Sequence, residues 1–223
     1  MKLLICIKLQ PFFIIFVLSV IMFVTNNSCQ KVTISDTIKT HTPPGGPIVY
    51  TDVNPDIVIH GTNPTQQFYI DLNNDGSNDF KFEFFFTPNA RNGAECQPGP
   101  RFDINVSPAD GSSNAIAVEG NYPAALGLYA IINGSHRQWS GVTGEKLLSG
   151  YYSPGCGSSS QGKWTGNVNK YLGLKLISGA KAYYGWVNLS ISVSGFYSAI
   201  ALTVQSYVYN SVPNQPILAG QTR

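Results

Sequence analysis

Charge is scarce in this 223-residue chain: Asp, Glu, Lys and Arg together make up 12% of it, no more than the aromatic residues. Setting aside Lys2 and Lys8, which lie in the first 28 residues, the rest carries 12 basic and 12 acidic side chains and is formally neutral. A neutral chain lacks the electrostatic footprint of a nucleic-acid binder, and that class is excluded. Histidine is scarcer still, limited to His41, His60 and His136. Ser135 stands beside His136 with no GxSxG elbow around it, so no hydrolase triad is suggested. None of the four cysteines forms a CxxC pair, which removes the common zinc and redox spacings. No convincing 3.6-residue apolar period follows Cys29, so helices are not expected in the body of the chain.

What is abundant is strand and turn chemistry. Tyr, Phe, Val, Ile, Thr, Ser and Asn predominate over Glu, Lys and Arg, with 22 glycines and 14 prolines as punctuation. The first 28 residues have the anatomy of an export signal: a basic start with Lys2 and Lys8, then the apolar run Pro11–Val24. That run is shorter than the roughly 20 residues a spanning helix needs, although a stretch counted from Met1 leaves an uncleaved anchor open. The sequence Thr25-Asn-Asn-Ser-Cys29-Gln-Lys then resembles the lipobox of bacterial lipoproteins, departing from it at Asn26, where an aliphatic residue is favoured. The resemblance implies a diacylglycerated Cys29 as the mature N-terminus and a membrane partner through that lipid. An ordinary signal peptide cleaved near Ser28 is the alternative. Cysteine parity favours the lipid: Cys6 leaves with the leader, and lipidation of Cys29 leaves the even pair Cys96 and Cys156. Both of these sit in Gly/Pro-rich loops and are expected to form a disulfide, as suits an oxidising compartment.

Residues 29–46 are Thr-rich and run into Thr-Pro-Pro-Gly-Gly, the composition of a flexible tether. A single all-β domain is expected over 47–220. Period-2 alternation predicts strands at 48–50, 56–60, 67–72, 79–86, 101–106, 114–118, 126–132, 171–177, 182–193 and 200–209. In the fourth, Phe80, Phe82, Phe84 and Phe86 share one face and Lys81 and Glu83 the other. Residues 171–193 read as a long hairpin through Ser178-Gly179, with Val187, Leu189, Ile191 and Val193 turned inward. About ten strands in one domain fit an antiparallel two-sheet sandwich or jelly roll.

The most informative motif is Asp71-Leu-Asn73-Asn-Asp75-Gly76-Ser77-Asn-Asp79. Oxygen side chains at positions 1, 3, 5 and 9, glycine at 6 and a backbone carbonyl from Ser77 at 7 are what a hard cation takes. The motif resembles the DxNxDGxxD calcium loop of EF-hands, dockerins, thrombospondin type 3 repeats and FG-GAP blades, and implies one structural Ca2+. Phe82 stands at position 12 where an EF-hand has Glu, so a further ligand must come from water, Glu83 or another acid. An Asx-rich hairpin turn without metal is the competing reading.

The order of these segments over 66–220, from Phe-Tyr-Ile-Asp-Leu-Asn-Asn-Asp-Gly through Tyr-Leu-Gly-Leu-Lys-Leu and Tyr-Tyr-Gly-Trp-Val-Asn-Leu to Gln-Pro-Ile-Leu-Ala-Gly220, resembles exported bacterial β-domain proteins, a group that implies no ligand. Trp139, Tyr151, Tyr152 and Trp164 fall in or beside loops and are candidate ligand-binding aromatics, with packing beneath loops as the plainer reading of each. The sequence is read as a non-catalytic envelope lipoprotein binding glycan or protein. A secreted polysaccharide hydrolase is the alternative, for which Glu83 and Glu119 are the acids to test. An assembly component with no small ligand is a third reading.

Overall fold

A computed structural model describes residues 38–41, 47–60, 66–91, 93, 95–109, 111–135, 137–195 and 199–223. The expected leader 1–28, Cys29, most of the tether and His136 lie outside the described residues. Among those described there is no helix, and strands account for most of the chain.

The early strands are β1 (Ile38–His41), β2 (Ile48–His60), β3 (Gln66–Ile70), β4 (Phe80–Ala90) and β5 (Gly99–Pro108). Then come β6 (Ala115–Glu119), β7 (Tyr122–Pro123), β8 (Ile131–Ile132), β9 (Gln138–Ser140), β10 (Glu145–Ser153) and β11 (Gly157–Gln161). The last are β12 (Lys170–Ser178), β13 (Lys181–Ser194), β14 (Ala199–Asn210) and β15 (Ile217–Leu218). An eight-stranded antiparallel sheet runs β1-β2-β14-β13-β12-β6-β7, with β9 also paired to β6. A five-stranded antiparallel sheet runs β11-β10-β5-β4-β3, and β8 pairs with β15 apart from both. The packed antiparallel sheets make the expected two-sheet sandwich.

The alternation read from β4 holds. Phe80, Phe82 and Phe84 are fully buried and Phe86 is partly so, while Lys81 and Glu83 form an ion pair at 3.3 Å on the other face. Each fully buried phenylalanine is worth about 1.5–3 kcal/mol relative to exposure. These rings meet Leu172, Leu174, Val187, Leu189, Ile191, Leu202 and Val204 of the larger sheet in the main core. In β14 a bulge at Gln205 interrupts the pairing with β2, so Leu202 and Val204 point inward before it and Tyr207 after it. Opposite that bulge lies Val53-Asn-Pro-Asp56 of β2, where Pro55 has no N–H to give a ladder.

A second apolar cluster is separate from the first. Tyr184, Trp186, Val208 and Ile48 pack with Leu126, Ile132, Ile217 and Ala219. Alternation assigns Tyr184 and Trp186 to the face of β13 opposite Val187 and Leu189, so the larger sheet is covered on both faces here. Gly185 between them is obligatory: a Cβ there would lie 2.3 Å from the Val208 carbonyl oxygen.

Several expectations are corrected. Ile38–His41, placed in the tether by composition, pairs with Tyr50–Val53, because four residues with free backbone groups suffice to extend a sheet edge. The strands expected at 48–50 and 56–60 are one strand, β2. Of the strand expected at 126–132 only Ile131–Ile132 remains, with a lone bridge from Leu126 to Tyr171; Tyr129, at φ +65, turns the chain between them. The hairpin β10–β11 has no counterpart among the strands that alternation predicts.

Candidate functional site

The Asp71–Asp79 loop joins β3 to β4, and its backbone is organised by its own carboxylates and amides. Asp71 accepts N–H bonds from Asp75 at 3.1 Å and Gly76 at 2.8 Å. Asn73 accepts a second bond from the Asp75 N–H at 3.1 Å and donates its amide to Asp75 at 2.9 Å. Asp75 in turn accepts the Ser77 N–H at 2.9 Å. Asn74 at φ +57 and Gly76 at φ +89 supply the left-handed turns that let the chain curl this tightly. The Asn73 amide, with the Ser77 N–H adding to it, holds the Asp75 carboxyl below the usual range.

Asp79 is different. It is buried, and its carboxylate accepts the Leu72 N–H at 2.7 Å, closing the loop base. Asn114 donates to it at 3.3 Å, while the Asn114 carbonyl oxygen accepts the Ile177 N–H of β12 at 2.8 Å. This places a polar link between loop and larger sheet. Burial pushes the Asp79 carboxyl up, and the charges of Asp71 and Asp75 push the same way. Burial likewise pushes the Tyr207 phenol up to about 12, with the Thr51 hydroxyl across the ladder offsetting part and Asp71 and Asp79 adding to the rise.

An all-oxygen donor set from Asp71, Asn73, Asp75 and the Ser77 carbonyl suits a hard cation, and Asp79 carries charge to the same loop. Among the described residues no three acidic, His or Cys groups converge as a formed metal cluster. Glu83, considered as a further ligand, is committed elsewhere, to Lys81 and to the Gln67 amide at 2.8 Å. Phe82, at position 12, is in the core.

Cys96 and Cys156 form the expected disulfide, with Cα atoms 5.7 Å apart. It ties the β4–β5 connection to the β10–β11 connection, both at one end of the five-stranded sheet.

The four candidate aromatics separate. Trp164 is fully buried in the main core with its indole N–H donated to the Pro123 carbonyl at 3.2 Å, so it is a packing residue and the ligand-binding reading is withdrawn. Trp139 is half-buried, donating to the Asn133 carbonyl at 3.2 Å, its ring 5.7 Å from Tyr184 with the Lys175 ammonium 5.8 Å above it. Tyr152 is half-buried beside the disulfide hairpin. Tyr151 alone lines a surface cleft.

That cleft, of about 310 Å³, lies against β5, β10 and β11, with Arg91, Arg101, Asp103, Lys146, Tyr151 and Gln161 among its walls. Cross-strand pairing arranges the outer face in rows: Phe85, Asp103, Ser149 and Gln161 in one, Thr87, Arg101, Tyr151 and Ser159 in the next. Asp103 is shared by Lys146 at 3.1 Å and Arg101 at 3.8 Å. Sequence reading missed these cations because they are scattered over three segments whose adjacency depends on the unforeseen β10.

No protein-family model, curated protein or solved structure matches the chain.

Proposed function

We propose that this protein is a non-catalytic envelope lipoprotein. In this reading it is exported by residues 1–28, held to a membrane by lipid on Cys29, and displays a calcium-steadied sandwich that binds glycan or protein. The observation that carries the reading is the Cys96–Cys156 disulfide. A structural disulfide belongs to an oxidising compartment outside the cytoplasm, and this one uses both cysteines of the domain. Cys29 is then the single thiol left after the leader, which fits covalent acylation. In the loop, Asp71, Asn73, Asp75, Asp79 and the Ser77 carbonyl would hold calcium, whose charge would offset three neighbouring carboxylates and fix the β3–β4 register. A binding role without chemistry accords with the acids of the outer sheet face: Glu83 is tied to Lys81 and Gln67, and Asp103 to Lys146.

The test is metabolic labelling of the full-length chain with a tagged fatty acid in a diderm bacterium. Wild-type protein should carry label and sediment with membranes, and Cys29→Ser should lose the label and appear in the soluble fraction. Label retained by Cys29→Ser, or an unlabelled wild type, would reject the anchor.

A further inference from the structure

We infer that the cleft on the outer face of the five-stranded sheet binds a uronate-bearing polysaccharide, an inference resting on the glycan-binding reading above. Its charge is the first reason. Arg91, Arg101 and Lys146 line the cleft with a single carboxylate, Asp103, so the cleft is locally cationic in a chain that from Cys29 onward is balanced overall at 12 against 12. Asp103 already engages Lys146, its contact with Arg101 is long at 3.8 Å, and Arg101 is half exposed. The Arg101 guanidinium therefore keeps donors free for a planar carboxylate, the group its fork matches in two-point fashion.

The second reason is what surrounds the cations. Tyr151 sits directly across from Arg101 and presents a half-buried ring; Phe85, 38% exposed, lies across from Asp103. Flat rings at the edge of a cationic cleft suit the C–H face of a sugar. Ser149, Ser159 and Gln161 add hydroxyl and amide groups that both donate and accept, as a polyhydroxylated ligand requires. The volume of about 310 Å³ is at the small end of ligand sites and fits part of an extended chain, with the rest lying over the sheet. An acidic peptide would use the cations alone and leave the rings and hydroxyls without a role. Rigidity is provided too: the strand pairing fixes both rows, and the disulfide pins the connections at that end of the sheet.

The experiment is titration of detergent-solubilised full-length protein with polygalacturonate, its methyl ester and polyglutamate. Polygalacturonate should bind, and the neutral ester of the same backbone should bind at least about tenfold more weakly. Arg101→Ala should weaken polygalacturonate binding about tenfold and Tyr151→Ala, which leaves the charge unchanged, about fivefold. Thermal melts matching wild type establish that each variant is folded, and Arg91→Ala, in an exposed connection, serves as a second charge variant. Polyglutamate bound as tightly as polygalacturonate would overturn the proposal in favour of a bare cationic patch. Polygalacturonate bound equally by wild type and all three variants would overturn the cleft while leaving glycan binding standing. Retention of no polysaccharide, acidic or esterified, would remove the cleft and the glycan reading together.

Discussion

The eight-stranded sheet and the five-stranded sheet contribute to the same core but differ in what lies on their other sides. Tyr184, Trp186 and Val208 of the larger sheet are buried in a second cluster with Ile132, Ile217 and Ala219. The smaller sheet turns Lys81, Glu83, Arg101 and Asp103 outward, where they pair with one another or with Lys146. A surface already covered by the chain itself has little to offer a partner. The wet face has charges and rings held in fixed rows, so recognition is expected there and stability on the other side.

The sharpest way to break this comparison is to truncate one large side chain from each cluster. Phe82→Ala in the main core and Trp186→Ala in the second cluster should each lower the unfolding free energy by about 3–5 kcal/mol in urea denaturation. A Trp186→Ala loss below about 1 kcal/mol would mean that the outer cluster is a loose cover and that the larger sheet has a free face after all. Next in size is the disulfide of the smaller sheet. The double substitution Cys96→Ser with Cys156→Ser removes a link spanning 60 residues and should cost about 2–4 kcal/mol by the same measurement.

Asp79, between the sheets, gives a smaller and pH-dependent effect. Its carboxyl is raised by burial, so the folded state favours the protonated form. The stability it contributes is full below the unfolded pKa and is lost as pH rises through the folded value. Metal-free protein, followed by thermal melting in chelator, should show that acid-side slope, and Asp79→Asn should flatten it. The same substitution should shrink the rise in melting temperature on adding calcium. Equal melting temperatures for wild type with calcium and with chelator would sink the calcium loop itself. Smallest at neutral pH is Tyr207→Phe in the larger sheet. With the folded phenol at about 12, wild type should lose stability as pH rises from the unfolded tyrosine range, near 10, through that value. The Phe variant should lack that alkaline loss, and an unchanged profile would show that Tyr207 is not the group responsible.

The parts legible in the sequence are those where alternation is uninterrupted. Phe80, Phe82 and Phe84 announce β4, and the β12–β13 hairpin follows from Val187, Leu189 and Ile191, which are buried as read. The disulfide was legible from two cysteines in Gly/Pro-rich loops, once Cys6 and Cys29 were set aside. β10 was hidden because a bulge between Lys146 and Leu148 sets two buried leucines, Leu147 and Leu148, side by side and erases the period. β11 was hidden for another reason: Gly157-Ser-Ser-Ser-Gln161 has no apolar side chain, is exposed throughout, and is a strand only because β10 offers it an edge. The cleft depends on those two strands, so its cations were visible only as isolated residues. For Trp164 the plainer reading, packing beneath a loop, holds; Pro123, 41 residues earlier, supplies the carbonyl that lets its indole be buried.

On one side β2 pairs with β1, and on the other with β14, which begins only at Ala199. For a chain made or threaded from its first residue onward, β2 must wait unpaired on that side until nearly all the sequence has emerged. Ile217 and Ala219, which complete the second cluster, arrive later still. Folding is therefore a late and largely non-local event, slow by the usual relation between sequence separation and rate. The larger sheet of a chain built this way stays incomplete until its last strands are free.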